Sequence, residues 1–357
     1  MTADIPAIPN IEPSWLTERL LAAGFKGCEV ASLSNETIGT GQTAACSRIA
    51  ISYAHPDSDA PATLIAKYPS ASDLSRDSAV AMGIYRREVE FYRDVAPKLT
   101  MALPAIYYAD IDAQGAHFLI LMEDLAPAEP GDQLKGCTPE VAHAAVMELV
   151  GLQAPTWCDA QLARRLTEPE GGFFSDMHGL YNQMLPGFLD RFAGSLTADE
   201  VAIISQVGAS PAAPLFQPMG TPFCLEHRDY RLDNLLIDET ADPPRVIVVD
   251  WQGLRMGRPL NDVALCLAGG LDPVVRRRVE EDILRAYHAA LLNAGVTDLD
   301  WASCWQEYRR ASFAGFGLTV VAAMTVEQTP RGDAMFTAMA QRYARHALDM
   351  NAEAFLQ

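Results

Sequence analysis

Positive charge is scarce in this 357-residue chain: 27 lysines and arginines stand against 46 aspartates and glutamates, a formal net charge of -19. A protein this acidic repels phosphate backbones and anionic bilayers, so nucleic acid is not an expected partner. Long apolar runs are missing too. With no stretch of about 18 uninterrupted apolar residues, no membrane span and no membrane partner are expected. The opening MTADIPAIPNIEPSW has neither a basic start nor a continuous apolar segment, and does not read as a signal peptide. The seven cysteines are widely spaced and form no CxxC pair, which leaves zinc ribbons and thioredoxin-type redox motifs without support. Such usage fits a reducing compartment, and the expected location is the cytoplasm. Internal repeats and low-complexity tracts are also absent.

What remains is an ordinary globular composition, 49% apolar and 20% charged, in a chain long enough for two packed lobes. A helix is expected over Ser14 to Ala23, between Pro13 and Gly24. Strands are expected near Cys28 to Leu33, Ala44 to Tyr53 and Ala62 to Lys67, where Ile49, Ile51 and Tyr53 alternate as one face of a strand does. One long helix over Ser78 to Val95 follows, with Val80, Ile84, Val89 and Phe91 on its apolar side. Two more strands are expected at Ala105 to Ala109 and His117 to Met122. Beyond Leu125 the pattern turns helical, as in Pro139 to Gln153 and Val275 to Asn293. The exception is three short strand-like runs, Phe223 to His227, Asn234 to Ile237 and Arg245 to Asp250.

Those runs frame the sharpest motif. His227-Arg228-Asp229-Tyr230-Arg231-Leu232-Asp233-Asn234 has the form HxDxxxxN, and Asp250 closes the apolar run RVIVV downstream. Phosphoryl transfer from ATP needs one carboxylate to take or orient the attacking hydroxyl's proton. It also needs a second carboxylate and an amide oxygen for magnesium. The loop supplies the first carboxylate and the amide, and the strand-end aspartate supplies the other.

The segment EHRDYRLDNLLID…RVIVVDWQGLRMGRPLNDVA resembles the aminoglycoside phosphotransferase and choline kinase superfamily, and its DWQ variant resembles the ecdysteroid-kinase-like branch. The resemblance implies an α+β, two-lobed protein-kinase-like fold. Residues 1–125 would form a nucleotide-binding lobe of antiparallel sheet plus one long helix, and residues 126–357 a mainly helical lobe, with a hinge near 122–126. It implies Asp229 as the catalytic aspartate, Asn234 and Asp250 as magnesium ligands, and His227 and Asp262 as structural supports of the loop. For ATP it implies Gly39 and Gly41 in a phosphate-contacting turn, and Lys67 on the phosphates. Glu88 is expected to hold Lys67, with Glu90 as competitor, and the Glu123 and Leu125 backbone to meet adenine. Departures are Arg228 where the family often has glycine, Gly257-Arg258-Pro259 in place of GDP, and Leu152-Gln153-Ala154 in place of LHA.

The expected reaction is ATP- and magnesium-dependent phosphorylation of a small hydroxylated substrate. Aromatic and methionine-rich stretches (Phe173, Phe174, Met177, Tyr181, Met184, Phe188, Phe192; Tyr308, Phe313, Phe316, Met324) read first as core packing. Lining a cleft, they would favour a partly apolar alcohol, whereas the acidic surplus would suit a cationic acceptor such as an aminoglycoside. A protein kinase is the poorer reading, because no APE-type element follows DWQG. A nucleotide-binding module without catalysis is the other alternative. Nothing in the sequence sets an oligomeric state.

Overall fold

Ile49 and Ile51 do lie on one buried face of a strand, and the sheet built around them places the lysine of LIAKYP. The computed structural model describes residues 5–39, 43–55, 59–166 and 176–357. Packing divides the chain into two units, one of Met1–Lys98, Leu103–Pro127 and Asp250–Gly253, the other of Leu99–Ala102, Ala128–Val249 and Leu254–Gln357.

The first unit holds helix α1 (Pro13–Ala22), strands β1 (Val30–Ile38), β2 (Ala44–Tyr53) and β3 (Thr63–Pro69), helices α2 (Asp73–Ala81) and α3 (Ile84–Glu90), and strands β4 (Ile106–Ile111) and β5 (Phe118–Glu123). The five strands form an antiparallel sheet in the order β1-β2-β3-β5-β4. Leu16 and Leu20 of α1 pack with Val30, Ile49, Leu64 and Leu121 as its buried core. The single long helix expected over Ser78 to Val95 is broken. Gly83 takes a left-handed backbone (φ +65), which ends α2 and restarts the chain as α3, and a π turn then carries it through Phe91–Val95. A glycine adopts that φ without the steric cost another residue bears, so the break sits where the sequence allows it.

The second unit holds a two-residue strand β6 (Glu129–Pro130) and helices α4 (Pro139–Gln153), α5 (Ala160–Arg165), α6 (Met177–Phe192) and α7 (Ala198–Ala209). Short strands β7 (Cys224–Glu226), β8 (Leu235–Asp238), β9 (Arg245–Val248) and β10 (Arg255–Gly257) follow, then helices α8 (Leu260–Gly270), α9 (Pro273–Asn293), α10 (Trp301–Ala311), α11 (Ala314–Thr325) and α12 (Pro330–Asp349). Strand β8 pairs with β6 and β9, and β7 with β10. Every residue of α8 from Asp262 to Gly270 is buried. An all-round buried helix is a packing axis, and here it carries a carboxylate, Asp262, into the interior. Of the aromatic stretches, Tyr181, Phe188, Phe192, Tyr308, Phe313 and Phe316 are core residues. Phe173 and Phe174 lie outside the described residues.

One buried histidine gives this unit a pH response. His346 of α12 is fully buried, and neither ring nitrogen has a hydrogen-bond partner among the described residues. Around it lie Arg276, ion-paired to Glu280 and Asp349, and the ring of Tyr308 at 5.0 Å. Glu280 approaches its Nε2 only to 3.9 Å. Burial, then the Arg276 charge, hold the imidazole pKa well below its ordinary value. The folded ring therefore stays neutral while the unfolded one takes a proton below about pH 6.5. His346 contributes in full above that pH and its contribution is lost as pH falls. Chemical denaturation of His346→Phe beside wild type at pH 7.5 and 5.5 should show the variant gaining about 1.4 kcal/mol relative to wild type at the lower pH.

Candidate active site

Lys67 extends from β3, where the ladder sets it opposite Cys46 on one side and Ile120 on the other. Its Nζ, almost fully buried, lies 2.7 Å from the Glu88 carboxylate on α3 and 2.9 Å from Asp250 Oδ1. Burial works against the ammonium charge, but Asp250 and Glu88 outweigh it, and the Lys67 pKa sits well above its ordinary value. Between the two acids on α3, it is Glu88 rather than Glu90 that meets the lysine. Glu88 also accepts the Trp251 backbone N–H at 3.2 Å. Trp251 is fully buried and stacks on Phe91 at 3.9 Å with planes 12° apart. Asp250 itself adopts φ +68, a left-handed conformation uncommon outside glycine, and such strain persists only where the surroundings over-determine it.

Gly39 ends β1 at φ +71 with open space where a Cβ would stand; Gly41 lies outside the described residues. Glu123 closes β5 and is tied to Ala105 twice, through its own N–H at 2.8 Å and its Oε2 at 3.1 Å. Asp124 takes two hydrogen bonds from Arg48, which fixes the chain just before Leu125.

The second unit carries the HxDxxxxN loop between β7 and β8. Asp229 Oδ2 accepts from Asn234 Nδ2 at 2.8 Å, and the same amide reaches the Asp229 carbonyl at 2.8 Å. His227 is buried; its Nδ1 accepts the Asp229 N–H at 3.3 Å and its Nε2 donates to the Val249 carbonyl at 3.0 Å. Asp262 accepts the backbone N–H groups of His227 at 2.6 Å and Arg228 at 2.9 Å. It thus bonds across to the loop. Burial, then the neighbouring Glu226 carboxylate, push its pKa up to about 7. Arg228 adopts φ +70, so the backbone here takes a shape that suits the glycine the family often has at this point. The other two departures meet each other. Gln153 Nε2 donates to the Pro259 carbonyl at 2.8 Å and its Oε1 accepts from Tyr287, all in the buried interior.

Arg231 belongs to the same loop and is not marked by the HxDxxxxN pattern. Its Nε donates to Asp229 Oδ1 at 2.8 Å, and its Nη1 to Asp233. Its place two residues after Asp229, in a loop of alternating charge, is the signal that could have marked it.

An amide oxygen such as that of Asn234 is the kind of donor magnesium takes. Both Asn234 amide contacts come from nitrogen, which leaves Oδ1 as an acceptor. Magnesium is commonly held by one or two carboxylates together with substrate phosphates and waters. Among the described residues no cluster of three or more histidines, cysteines or acids could cage a metal.

A protein-family model of ecdysteroid kinase-like proteins matches residues 39–299, well over half of the chain. The chain belongs to the ecdysteroid kinase-like family. Curated proteins supply no sequence match to this family member. Solved structures share its fold. A microcompartment-associated aminopropanol kinase is 13% identical with a TM-score of 0.54, covering 96% of this chain and 99% of that one. A choline kinase from Cryptosporidium parvum is 12% identical with a TM-score of 0.56, covering 94% and 96%. A GDP-bound variant of an aminoglycoside 2′-phosphotransferase is 14% identical with a TM-score of 0.50, covering 96% and 97%. This ecdysteroid kinase-like chain therefore has the α+β kinase-like fold, an antiparallel sheet unit followed by a mostly helical one. Among its described residues no helix is long and apolar enough to cross a membrane.

Proposed function

We propose that the protein moves the γ-phosphate of ATP to a hydroxyl of a small molecule. The observation that carries this reading is the Lys67 ammonium bound at once to Glu88 and Asp250. A buried cation held by two acids is a ready partner for nucleotide phosphates, and phosphoryl transfer is largely positioning and charge neutralisation. Residues 1–125 would bind the nucleotide, with Gly39 and Gly41 on the phosphates and the Glu123 and Leu125 backbone on adenine. Residues 126–357 would carry the catalytic loop and the acceptor, with the hinge near 122–126.

Asp229 would accept the acceptor's hydroxyl proton as that oxygen bonds to the γ-phosphorus and the bond to the ADP oxygen breaks. Magnesium, held by Asn234 and Asp250, would neutralise charge on the phosphates. His227 and Asp262 hold the loop that aims Asp229. The buried Trp251 stack and its bond to Glu88 keep Glu88 on Lys67 without an activation segment, which favours a small-molecule kinase over a regulated protein kinase. The aminopropanol and choline kinases that share the fold are named for small amino alcohols. Magnesium-dependent ADP release across cationic and apolar alcohols, with Asp229→Asn as control, tests the reading.

A further inference from the structure

The hydroxyl of Tyr85 has no part in the reading above, yet it sits where α3 meets the ends of β2 and β3. Gly83 restarts the chain as α3, which puts Tyr85 in the first turn of that helix and Glu88 three residues on. Residues three apart share a helix face, and both meet the sheet. Glu88 does so at Lys67 of β3, and Tyr85, only 1% exposed, has its ring 4.6 Å from that of Phe118 on β5. A phenylalanine could fill that place; the hydroxyl makes the further contacts. It donates to the carbonyl of Thr43, where the chain enters β2, and accepts the Ser70 N–H, just beyond β3, at a long 3.5 Å. Burial raises the phenol's pKa above its ordinary value, so the proton needed for the first bond is kept.

Both contacts lie at one end of the β2–β3 ladder, where Ala44 pairs with Pro69 and Cys46 with Lys67. The rung of Cys46 continues to β1, where its partner is Ile38, the residue before Gly39. On its other side α3 is tied to the 250–253 segment. Arg87 Nη1 donates to the Gln252 carbonyl at 3.0 Å, and Glu88 accepts the Trp251 N–H. Those bonds hold α3 against Asp250. The Tyr85 hydroxyl holds it against the strand ends that flank Lys67.

We propose that Tyr85 is a positioning residue for the phosphates of a bound nucleotide: its hydroxyl fastens α3 to the start of β2, so that Lys67, Glu88 and the Gly39 end of β1 keep one fixed spacing. This rests on the nucleotide-binding half of the kinase reading. It goes beyond it by giving the register of the phosphate site to a side chain that touches no phosphate. Contacts held in place before binding cost less to form than contacts that must be ordered by the ligand. The adenine side, expected at the Glu123 and Leu125 backbone, takes no bond from this hydroxyl, so the phosphates alone should feel its loss.

The test measures affinities for ATP, ADP and adenosine, by competition in the presence of magnesium, on purified wild type, Tyr85→Phe and Tyr53→Phe. Tyr53 is the control: it ends β2 at the opposite end, and its hydroxyl also donates to a backbone carbonyl, that of Pro61, at 2.8 Å. One net hydrogen bond corresponds to about a fivefold change in an equilibrium constant. Tyr85→Phe should bind ATP and ADP more weakly by about that factor and adenosine as tightly as wild type does, while Tyr53→Phe should match wild type for all three. Unfolded protein lowers the apparent affinity of every ligand alike, so the ratio of ATP to adenosine affinity reads position and not stability. Equal losses for ATP and adenosine, no loss for ATP, or the same phosphate-specific loss in Tyr53→Phe each overturn the proposal. Wild type that binds ATP no more tightly than adenosine sinks the nucleotide-phosphate reading together with it; a wild-type preference for ATP that Tyr85→Phe retains in full sinks this proposal alone.

Discussion

Lys67→Met is expected to lower kcat/KM for ATP by about a thousandfold, the scale of losing one preorganised charge contact to the phosphates. It should also destabilise the fold. Glu88 is only 1% exposed and Lys67 supplies its counter-charge. Breaking a buried pair on one side leaves an uncompensated charge, at a cost of about 3–5 kcal/mol. Those two consequences separate in a cycle. Replacing Glu88 as well, as in Lys67→Met with Glu88→Leu, removes the buried carboxylate, leaves only the part-exposed Asp250 without its lysine, and should recover much of the stability. The recovery stays incomplete because the buried Trp251 N–H then loses its acceptor, a penalty of about 1–3 kcal/mol. Activity should not recover in the double variant. Chemical denaturation and steady-state kinetics on the four proteins check this. A double variant as unstable as Lys67→Met would show that the pair is not the source of the loss.

Asp262→Ala should be nearly as damaging by another route. The carboxylate takes the N–H groups of His227 and Arg228, and both would lose that acceptor. At about 1–3 kcal/mol for each donor that loses its acceptor, a loss of about 2–6 kcal/mol is expected. Part is returned because Glu226 no longer faces a second buried acid. The loop would also lose what holds Arg228 at φ +70, so kcat should fall by about 100-fold or more through misplacement of Asp229. Asp262→Asn keeps one acceptor and should lie between. Arg228→Gly, which suits the left-handed backbone, should instead stabilise by about 1 kcal/mol. Thermal or denaturant unfolding of the three variants beside wild type gives the order directly.

Much of this was legible in the sequence for identifiable reasons. Strand β2 was found over its full length, Ala44 to Tyr53, because its alternation is strong, and α4 because Thr138 and Pro139 mark its start. The HxDxxxxN spacing located the loop because its chemistry needs fixed residue types at fixed intervals. Other features depend on distant chain segments and leave no local trace. The stack of Trp251 on Phe91 joins residues far apart in the chain, as does the bond from Gln153 to the Pro259 carbonyl. The break at Gly83 was hidden because the apolar positions on either side keep a helical spacing. Arg231 was missed because a loop arginine reads as solvated until its two carboxylate partners are seen.

Magnesium-dependent ADP release, measured with purified protein over a panel of cationic and apolar alcohols, bears most directly on the central claim. The account predicts release with at least one acceptor class, dependence on magnesium, and near-complete loss in Asp229→Asn while nucleotide binding persists. Undiminished turnover in Asp229→Asn would contradict the role given to that carboxylate. Nucleotide binding without turnover on any acceptor would contradict the kinase itself and leave a binding module in its place.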